Sequence, residues 1–366
     1  MSLKAGIVGL PNVGKSTLFN AITKKNIIAA NYPFATIEPN VGIVVVPDER
    51  LDFLNEMYEP KSLVPTTYEF IDIAGLVQGA SNGEGLGNKF LSHIREVDAI
   101  VEVVRCFDNA EITHVVGATD PLRDIDIINV ELILSDLEII ENRLQKIEKK
   151  AQSSKDKDAL LEVALLKRIQ EALKQNTPVR KLDFNEDEIK MIKNFNLITA
   201  KPIIYAANVD EDTIAVGDNA YTLKVKEFAE KESSGVVVMC ARMEEELSSF
   251  NEEEKKEFLN SMGVANSGLD RLIYATYDLL GLSTFFTSGK DEVRAWTFVK
   301  GTKAPGCAGI IHTDFEKGFI KAEVTSFEDL KKYGSEAKVK EAGRLRLEGK
   351  EYIMQDGDIC YFRFNV

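Results

Sequence analysis

The chain has 366 residues, 44% of them hydrophobic and 28% charged, with 59 acidic against 45 basic side chains and a net charge of −14. That length allows two or three domains with full hydrophobic cores, and the acidic balance argues against a general nucleic-acid coat, because phosphate backbones would repel it on average. Cys106, Cys240, Cys307 and Cys360 form no metal-type pair and His93, His114 and His312 are scattered, so a zinc site is not expected. The thiol inventory fits a reduced, cytoplasmic setting. No apolar run approaches the ~20 residues of a membrane-spanning helix, and the N-terminus shows neither a basic leader nor a cleavage site.

Lys4 to Val8 reads as a short apolar strand and Thr17 to Lys24 as the start of a helix. Between them Gly9-Leu10-Pro11-Asn12-Val13-Gly14-Lys15-Ser16 has the spacing of a phosphate-binding loop. In such a loop the glycines let the backbone turn its N–H groups, here those of Val13, Gly14 and Thr17 among others, toward a phosphate, and the helix N-terminus adds its dipole. Lys15 would reach the β- and γ-phosphates and Ser16 would hold Mg²⁺. Further strands are expected at Val41 to Val46, Thr67 to Asp72 and Ala99 to Val104, the last an unbroken apolar run suited to burial on both faces of a parallel sheet. This is a doubly wound α/β pattern, which places ligands at the carboxyl ends of the strands.

Near residue 125 the pattern changes. Val130, Ile133, Leu137, Ile140, Leu144 and Ile147 are spaced 3, 4, 3, 4, 3, a coiled-coil seam. A break at Gln152 to Asp156 precedes a second run with Leu160, Val163, Leu166, Ile169 and Leu173. The two read as an antiparallel helical hairpin, inserted over residues 123–199, with Lys146, Lys149, Lys150, Lys155 and Lys157 at its tip. The α/β pattern resumes with strands at Pro202 to Ala207 and Val236 to Met239 and a closing helix over Leu269 to Leu280, so one nucleotide-binding domain spans 1–122 and 200–280. Glu244 to Glu257 is expected as exposed acidic surface. Gly281 to Gly289 reads as a linker. Beyond it, strands at Arg294 to Phe298, Gly309 to His312, Gly318 to Val324, Tyr352 to Met354 and Ile359 to Phe364, with a helix over Ser326 to Tyr333, make a compact α+β domain within 281–366. Lys331, Lys332, Lys338, Lys340, Arg344 and Arg346 form a cationic run within it.

Three elements narrow the chemistry. Asp72-Ile73-Ala74-Gly75 follows a strand; the Asp can accept from a magnesium-bound water and the Gly75 N–H can meet the γ-phosphate. Thr36, in the loop Asn31 to Thr36, is placed to be the second protein ligand of Mg²⁺. The glycine-rich stretch Gly79 to Gly87 suits a loop whose order depends on the γ-phosphate.

This order resembles the translation-factor-related P-loop GTPases and, more closely, the Obg-like YchF family of ATPases. The matching segments are Gly-Leu-Pro-Asn-Val-Gly-Lys-Ser at 9–16, Asn-Tyr-Pro-Phe-Ala-Thr-Ile-Glu-Pro-Asn at 31–40, Asp-Ile-Ala-Gly-Leu-Val at 72–77, Asn-Val-Asp-Glu at 208–211, and Lys303-Ala304-Pro305 through Gly318. The resemblance covers the whole chain and implies a P-loop G-domain with a helical insertion and a ubiquitin-like, β-grasp TGS domain at the C-terminus. It also implies a monomeric ATPase switch that associates with the ribosome, by its large subunit, in translation or stress response, with no membrane partner.

Two departures from ordinary GTPases stand out. Where they carry Asn-Lys-x-Asp to read guanine, this chain has Asn208, Val209, Asp210 and Glu211. Losing a paired polar contact costs about 1–3 kcal/mol, so guanine is disfavoured. The Asn208 amide could serve the 6-amino donor and N7 acceptor of adenine, with backbone N–H groups of Cys240 and Ala241 completing the base site. Secondly, Leu76 replaces the Gln that orients the attacking water, so intrinsic hydrolysis is expected to be slow. Asn12 sits where potassium-dependent relatives place a K⁺ ligand, and His114 could approach the γ-phosphate as a catalytic group beside Lys15, Thr36 and Gly75. A GTPase of the same fold, and a slowly hydrolysing nucleotide-gated scaffold acting through a protein partner, are the alternatives.

Overall fold

The apolar stretches around the phosphate-loop motif become neighbouring strands of one sheet. The computed structural model describes residues 3–29, 40–73, 86–109, 117–154 and 156–365. In chain order the first part comprises β1 (Lys4–Val8), α1 (Lys15–Ala29), β2 (Val41–Val45), α2 (Glu49–Tyr58), β3 (Ser62–Val64), β4 (Thr67–Asp72), α3 (Leu86–Glu96), β5 (Ala99–Arg105), α4 (Pro121–Ser154), α5 (Lys157–Lys174) and α6 (Glu186–Phe195). Then come β6 (Ile203–Asn208), α7 (Glu211–Val216), α8 (Ala220–Lys231), β7 (Gly235–Met239), α9 (Ala241–Leu247), α10 (Glu252–Ser261) and α11 (Gly268–Leu279). The C-terminal part comprises β8 (Leu282–Thr287), β9 (Glu292–Val299), α12 (Ala304–Ile311), α13 (Thr313–Lys317), β10 (Phe319–Ser326), α14 (Phe327–Tyr333), α15 (Glu336–Glu341), β11 (Arg346–Glu348) and β12 (Asp358–Phe364).

The chain divides into two compact units, one built mainly from residues 69–276 with the N-terminal strand and loop, the other from 277–366 together with 43–68. The first sheet runs β2-β4-β1-β5-β6-β7, and the β4-β1-β5-β6-β7 pairings are parallel. All seven residues of β5 and all six of β6 are buried, as central strands covered on both faces require. Their carboxyl ends, with that of β1, meet at the phosphate loop. The helical insertion is a pair of packed helices, tied by Arg143 to Glu162 at 2.5 Å, Lys167 to Glu148 at 2.7 Å and Gln170 to Glu141 at 3.1 Å. Ile133, Ile140 and Leu144 of the seam pack with Leu165, Leu166, Ile169 and Leu173. Leu160 lies off this seam and is exposed.

The second unit holds a mixed sheet ordered β11-β10-β12-β8-β9-β3. Here the structure corrects several sequence expectations. The glycine-flanked segment read as a linker is β8, central and antiparallel to β9. Gly309 to Ile311 is helical within α12, with His312 its extended C-cap, and the buried Ala304, Cys307 and Ala308 follow an i, i+3, i+4 spacing; a short apolar run does not reveal its period, but Pro305 in the first turn marks a helix start. Tyr352 to Met354 contributes an isolated bridge from Ile353 to Lys303. The largest difference concerns residues 43–68, expected within the nucleotide-binding domain. β3 pairs in parallel with β9, Ser62 opposite Glu292, and Leu51 and Leu54 of α2 join Phe286, Val293 and Phe327 in one core. Such long-range pairing leaves no local signature. Glu244, expected on the surface, is buried and accepts the Gly268 N–H at 2.7 Å.

One buried group stands out. Glu102, in the middle of β5, is 1% exposed, and neither carboxyl oxygen has a hydrogen-bond partner among the described residues. Near it Arg180 donates to Asn129 at 3.0 Å and to Glu232 at 3.3 Å, and Tyr205 donates to Glu232 at 2.9 Å. Burial pushes the Glu102 carboxyl well above its ordinary value; the Arg180 charge pulls it down, and Glu232 and Asp124 push it further up. Below the ordinary value both folded and unfolded chains hold the proton. Above it only the unfolded chain releases the proton, so stability falls by about 1.4 kcal/mol per pH unit until the raised value is reached. Glu102→Gln removes this titration. Thermal melts should therefore coincide for the two proteins near pH 4.5, the ordinary carboxyl value, and the variant should gain steadily toward mildly alkaline pH. A gap independent of pH would rule out the neutral carboxyl.

Candidate nucleotide-binding site

The phosphate loop leaves the carboxyl end of β1 and enters α1, where the Leu18 N–H closes the first turn on the Gly14 carbonyl at 2.9 Å. Two left-handed residues shape it, Asn12 with φ 63° and Gly14 with φ 99°. Asparagine tolerates that region and glycine adopts it freely. Gly14 is required for a second reason: a Cβ there would stand 2.2 Å from Nδ2 of Asn208. At the front of the helix the Lys15 ammonium lies 2.5 Å from Oδ1 of Asp72, with the two side chains 11% and 23% exposed. Asp72 ends β4, in register with Ile7 of β1, and its N–H is held by the Asn40 carbonyl at 2.9 Å. Thus the chain brings together the lysine and the aspartate expected from the motif, with Ser16 exposed beside them.

Asn208 ends β6, beside Met239 at the end of β7. Its Nδ2 donates to the Val13 carbonyl at 2.8 Å and its Oδ1 accepts the Ala241 N–H at 2.9 Å, while the whole residue is 5% exposed. The amide therefore ties the phosphate loop to the start of α9. Each polar atom of the amide thus makes one bond to backbone, so contact with adenine would fall to its second N–H and its second lone pair. Val209 is 2% exposed and its N–H bonds to the Met239 carbonyl at 2.9 Å. Asp210 caps α7 by accepting the Thr213 N–H at 2.9 Å, which places Glu211 in the first turn, 3.7 Å from the Arg242 guanidinium. Cys240 is buried, and burial raises its thiol pKa, leaving a neutral thiol at the head of α9.

These elements enclose a cavity of about 900 Å³ that Asn12, Gly14, Thr17, Asn208, Val209, Glu211, Cys240 and Ala241 help to line. Phe107, Asp108 and Asn109 also line it and were not anticipated. Their signal was available: they follow a fully buried parallel strand, and ligands sit beyond the carboxyl ends of such strands. Thr36, Gly75 and His114 fall outside the described residues.

Comparison with known proteins bears on the whole chain. A family described as "50S ribosome-binding GTPase" matches residues 4–150, and the YchF-GTPase C-terminal family, described as a protein of unknown function, matches residues 282–365. The Ribosome-binding ATPase YchF of Bacillus subtilis is 57% identical over 367 residues, with all of both chains covered. That of Pasteurella multocida is 54% identical over 366 residues, again across both chains. The structure of the Schizosaccharomyces pombe YchF GTPase superposes with a TM-score of 0.90 at 44% identity, covering 99% of this chain and 98% of that one.

Asn208→Asp tests the tie between the loops. A carboxylate cannot donate, so it would face the Val13 carbonyl acceptor to acceptor. Affinity for a fluorescent ATP analogue should drop roughly 5- to 150-fold, the equivalent of 1–3 kcal/mol, with a lowered melting temperature. Undiminished affinity would show that the tie does not hold the loop in its binding shape.

Proposed function

The chain is a member of the YchF family, and on that premise we propose that it is a magnesium-dependent ATPase switch that hydrolyses ATP to ADP and phosphate and associates with the ribosome. The observation that carries the nucleotide reading is the meeting of Lys15 and Asp72 at the mouth of a glycine-shaped loop that enters a helix. In this reading the loop N–H groups and Lys15 bind the triphosphate, and Asn12 is a candidate K⁺ ligand. Ser16, Thr36 and Asp72 would hold Mg²⁺. The donor set fits: it is an exposed hydroxyl and a carboxylate whose surroundings already favour a cation, as the Lys15 ammonium at 2.5 Å attests. No group of three or more metal-binding His, Cys, Asp or Glu side chains occurs among the described residues, which suits an ion shared with substrate phosphates rather than caged by protein. When bound, magnesium would neutralise charge on the triphosphate. Leu76 cannot orient a water, so Gly75 and His114 remain the proposed aids to hydrolysis and turnover should be slow without a partner.

Preference for ATP is supported by two features of the base loop. Val209 is buried and apolar where guanine readers carry lysine, and Glu211 is engaged with Arg242. The 123–199 hairpin, as a coiled coil, and the C-terminal unit, as a TGS-like domain, would form the partner surface. Within the cationic run Arg344 is paired with Asp329 at 3.0 Å and Arg346 with Asp358 at 2.9 Å. Lys331, Lys332, Lys338 and Lys340 are all exposed and are the better RNA contacts. No helix among the described residues is long and apolar enough to cross a membrane.

Two measurements test this. Wild-type protein should prefer ATP in a competition titration with GTP, and Val209→Lys combined with Glu211→Asp should move the preference toward GTP; equal affinities in the wild type would sink the adenine reading. Reversing the charge of the four lysines should abolish cosedimentation with ribosomal subunits while ATP affinity stays unchanged. Retained cosedimentation would remove those lysines from the contact.

A further inference from the structure

Arg105, the last residue of β5, is among the largest fully buried side chains, at 2% exposure. Its Nε donates to the Phe107 carbonyl at 3.1 Å and its Nη2 to the Asn109 carbonyl at 3.2 Å, and its guanidinium carbon lies 4.8 Å from the centre of the Phe107 ring. These contacts fall on Phe107 and Asn109, which with Asp108 between them form one wall of the cavity. The same short segment is held from outside by Asn219, which donates to the Cys106 carbonyl at 2.7 Å, by Thr119, which donates to the Phe107 carbonyl at 3.3 Å, and by Tyr221, which donates to Asp108 at 2.9 Å. Cys106 itself donates to the Asn208 carbonyl at 2.8 Å.

Burying a guanidinium costs several kcal/mol unless its donors are well satisfied. An apolar side chain of similar volume would fill the end of a strand without that cost. What a guanidinium adds is its geometry: a rigid planar fork reaches two carbonyls two residues apart while its face lies over the ring of the first of those residues. A chain leaving a strand as Cys-Phe-Asp-Asn has no regular hydrogen bonding to fix it, and the fork supplies that restraint. We propose that Arg105 is a positioning residue for the nucleoside: it holds the Phe107–Asn109 wall at the distance at which a base and ribose can lie against it, and does so without touching the triphosphate. This rests on the nucleotide reading of the cavity and adds to it a division of labour. Lys15 and the loop grip phosphates, whereas the β5 exit, set by Arg105, grips the nucleoside.

The test compares wild type, Arg105→Met and Arg105→Lys for affinity toward ATP and toward magnesium tripolyphosphate, which has no nucleoside, and for KM and kcat of ATP turnover. Both variants should lose about tenfold in ATP affinity and gain as much in KM, equivalent to ~1.4 kcal/mol. Their kcat should stay within about twofold and their tripolyphosphate affinity should not change. Lysine should not rescue, because a single ammonium cannot fork to both carbonyls and lie flat on the ring. Full rescue by lysine, or equal losses toward ATP and tripolyphosphate, would overturn the proposal in favour of a simple charge effect. If the methionine variant does not fold, the lysine variant, which keeps the buried charge, decides alone. Failure of the wild type to bind either ligand would instead overturn the nucleotide reading, and the two failures are thereby distinguishable.

Discussion

The site depends on one buried amide. Asn208 lies at the end of β6, donates to the phosphate loop at Val13 and accepts from the head of α9 at Ala241. An amide carries its donor and its acceptor on separate atoms, so it can donate on one side and accept on the other. It therefore fixes two segments, far apart in sequence, with a single residue. Gly14 is part of the same constraint, since its missing Cβ is what lets the amide approach. Because the amide is buried, its two bonds are shielded from competition by water, and an unpaired partner would carry the full desolvation cost. The glycine-rich loop and the start of α9 are thus held as one piece.

Around this tie the central strand carries two ionisable side chains with opposite treatment. Arg105 is buried with its donors committed to backbone carbonyls of the cavity wall. Glu102, three residues earlier, is buried with no hydrogen-bond partner among the described residues, and desolvation, outweighing the pull of Arg180, raises its pKa. Alternation along the strand does not place the two on the same face, so they act on different neighbours. One shapes the nucleotide cavity, and the other faces the polar cluster of Arg180, Glu232, Asn129 and Tyr205 that joins the foot of the helical hairpin to the sheet. A single strand therefore links the two parts of this unit in which movement would matter to a switch.

The C-terminal unit follows a different logic. Its sheet mixes parallel and antiparallel pairs and recruits β3 from far upstream. Its basic residues are not equivalent: the two arginines are spent on internal carboxylates, while four lysines are exposed. The net charge of −14 is therefore no guide to what this surface can meet, because screening at physiological salt confines each charge to about 8 Å.

Much of the protein was legible in its sequence. The phosphate loop, the buried parallel strands and the hairpin seam are set by local spacing, since backbone φ preferences and hydrophobic periodicity act over a few residues. Membership of the YchF family followed from residues quoted in place, whereas the direct pairing of Lys15 with Asp72 is seen only in the structure. Tertiary structure decided the rest. Asn208 ties two backbone segments together, because nothing local tells whether a side-chain amide also meets a neighbouring backbone. Residues 43–68 looked like part of the first domain, because strand pairing with β9 and packing against Phe286 are contacts across more than two hundred residues. Phe107 to Asn109 became a cavity wall, and Arg105 its support, only once β5 had been set beside β6. Local spacing names the elements; burial and long-range hydrogen bonds determine which of their side chains remain free to meet a ligand.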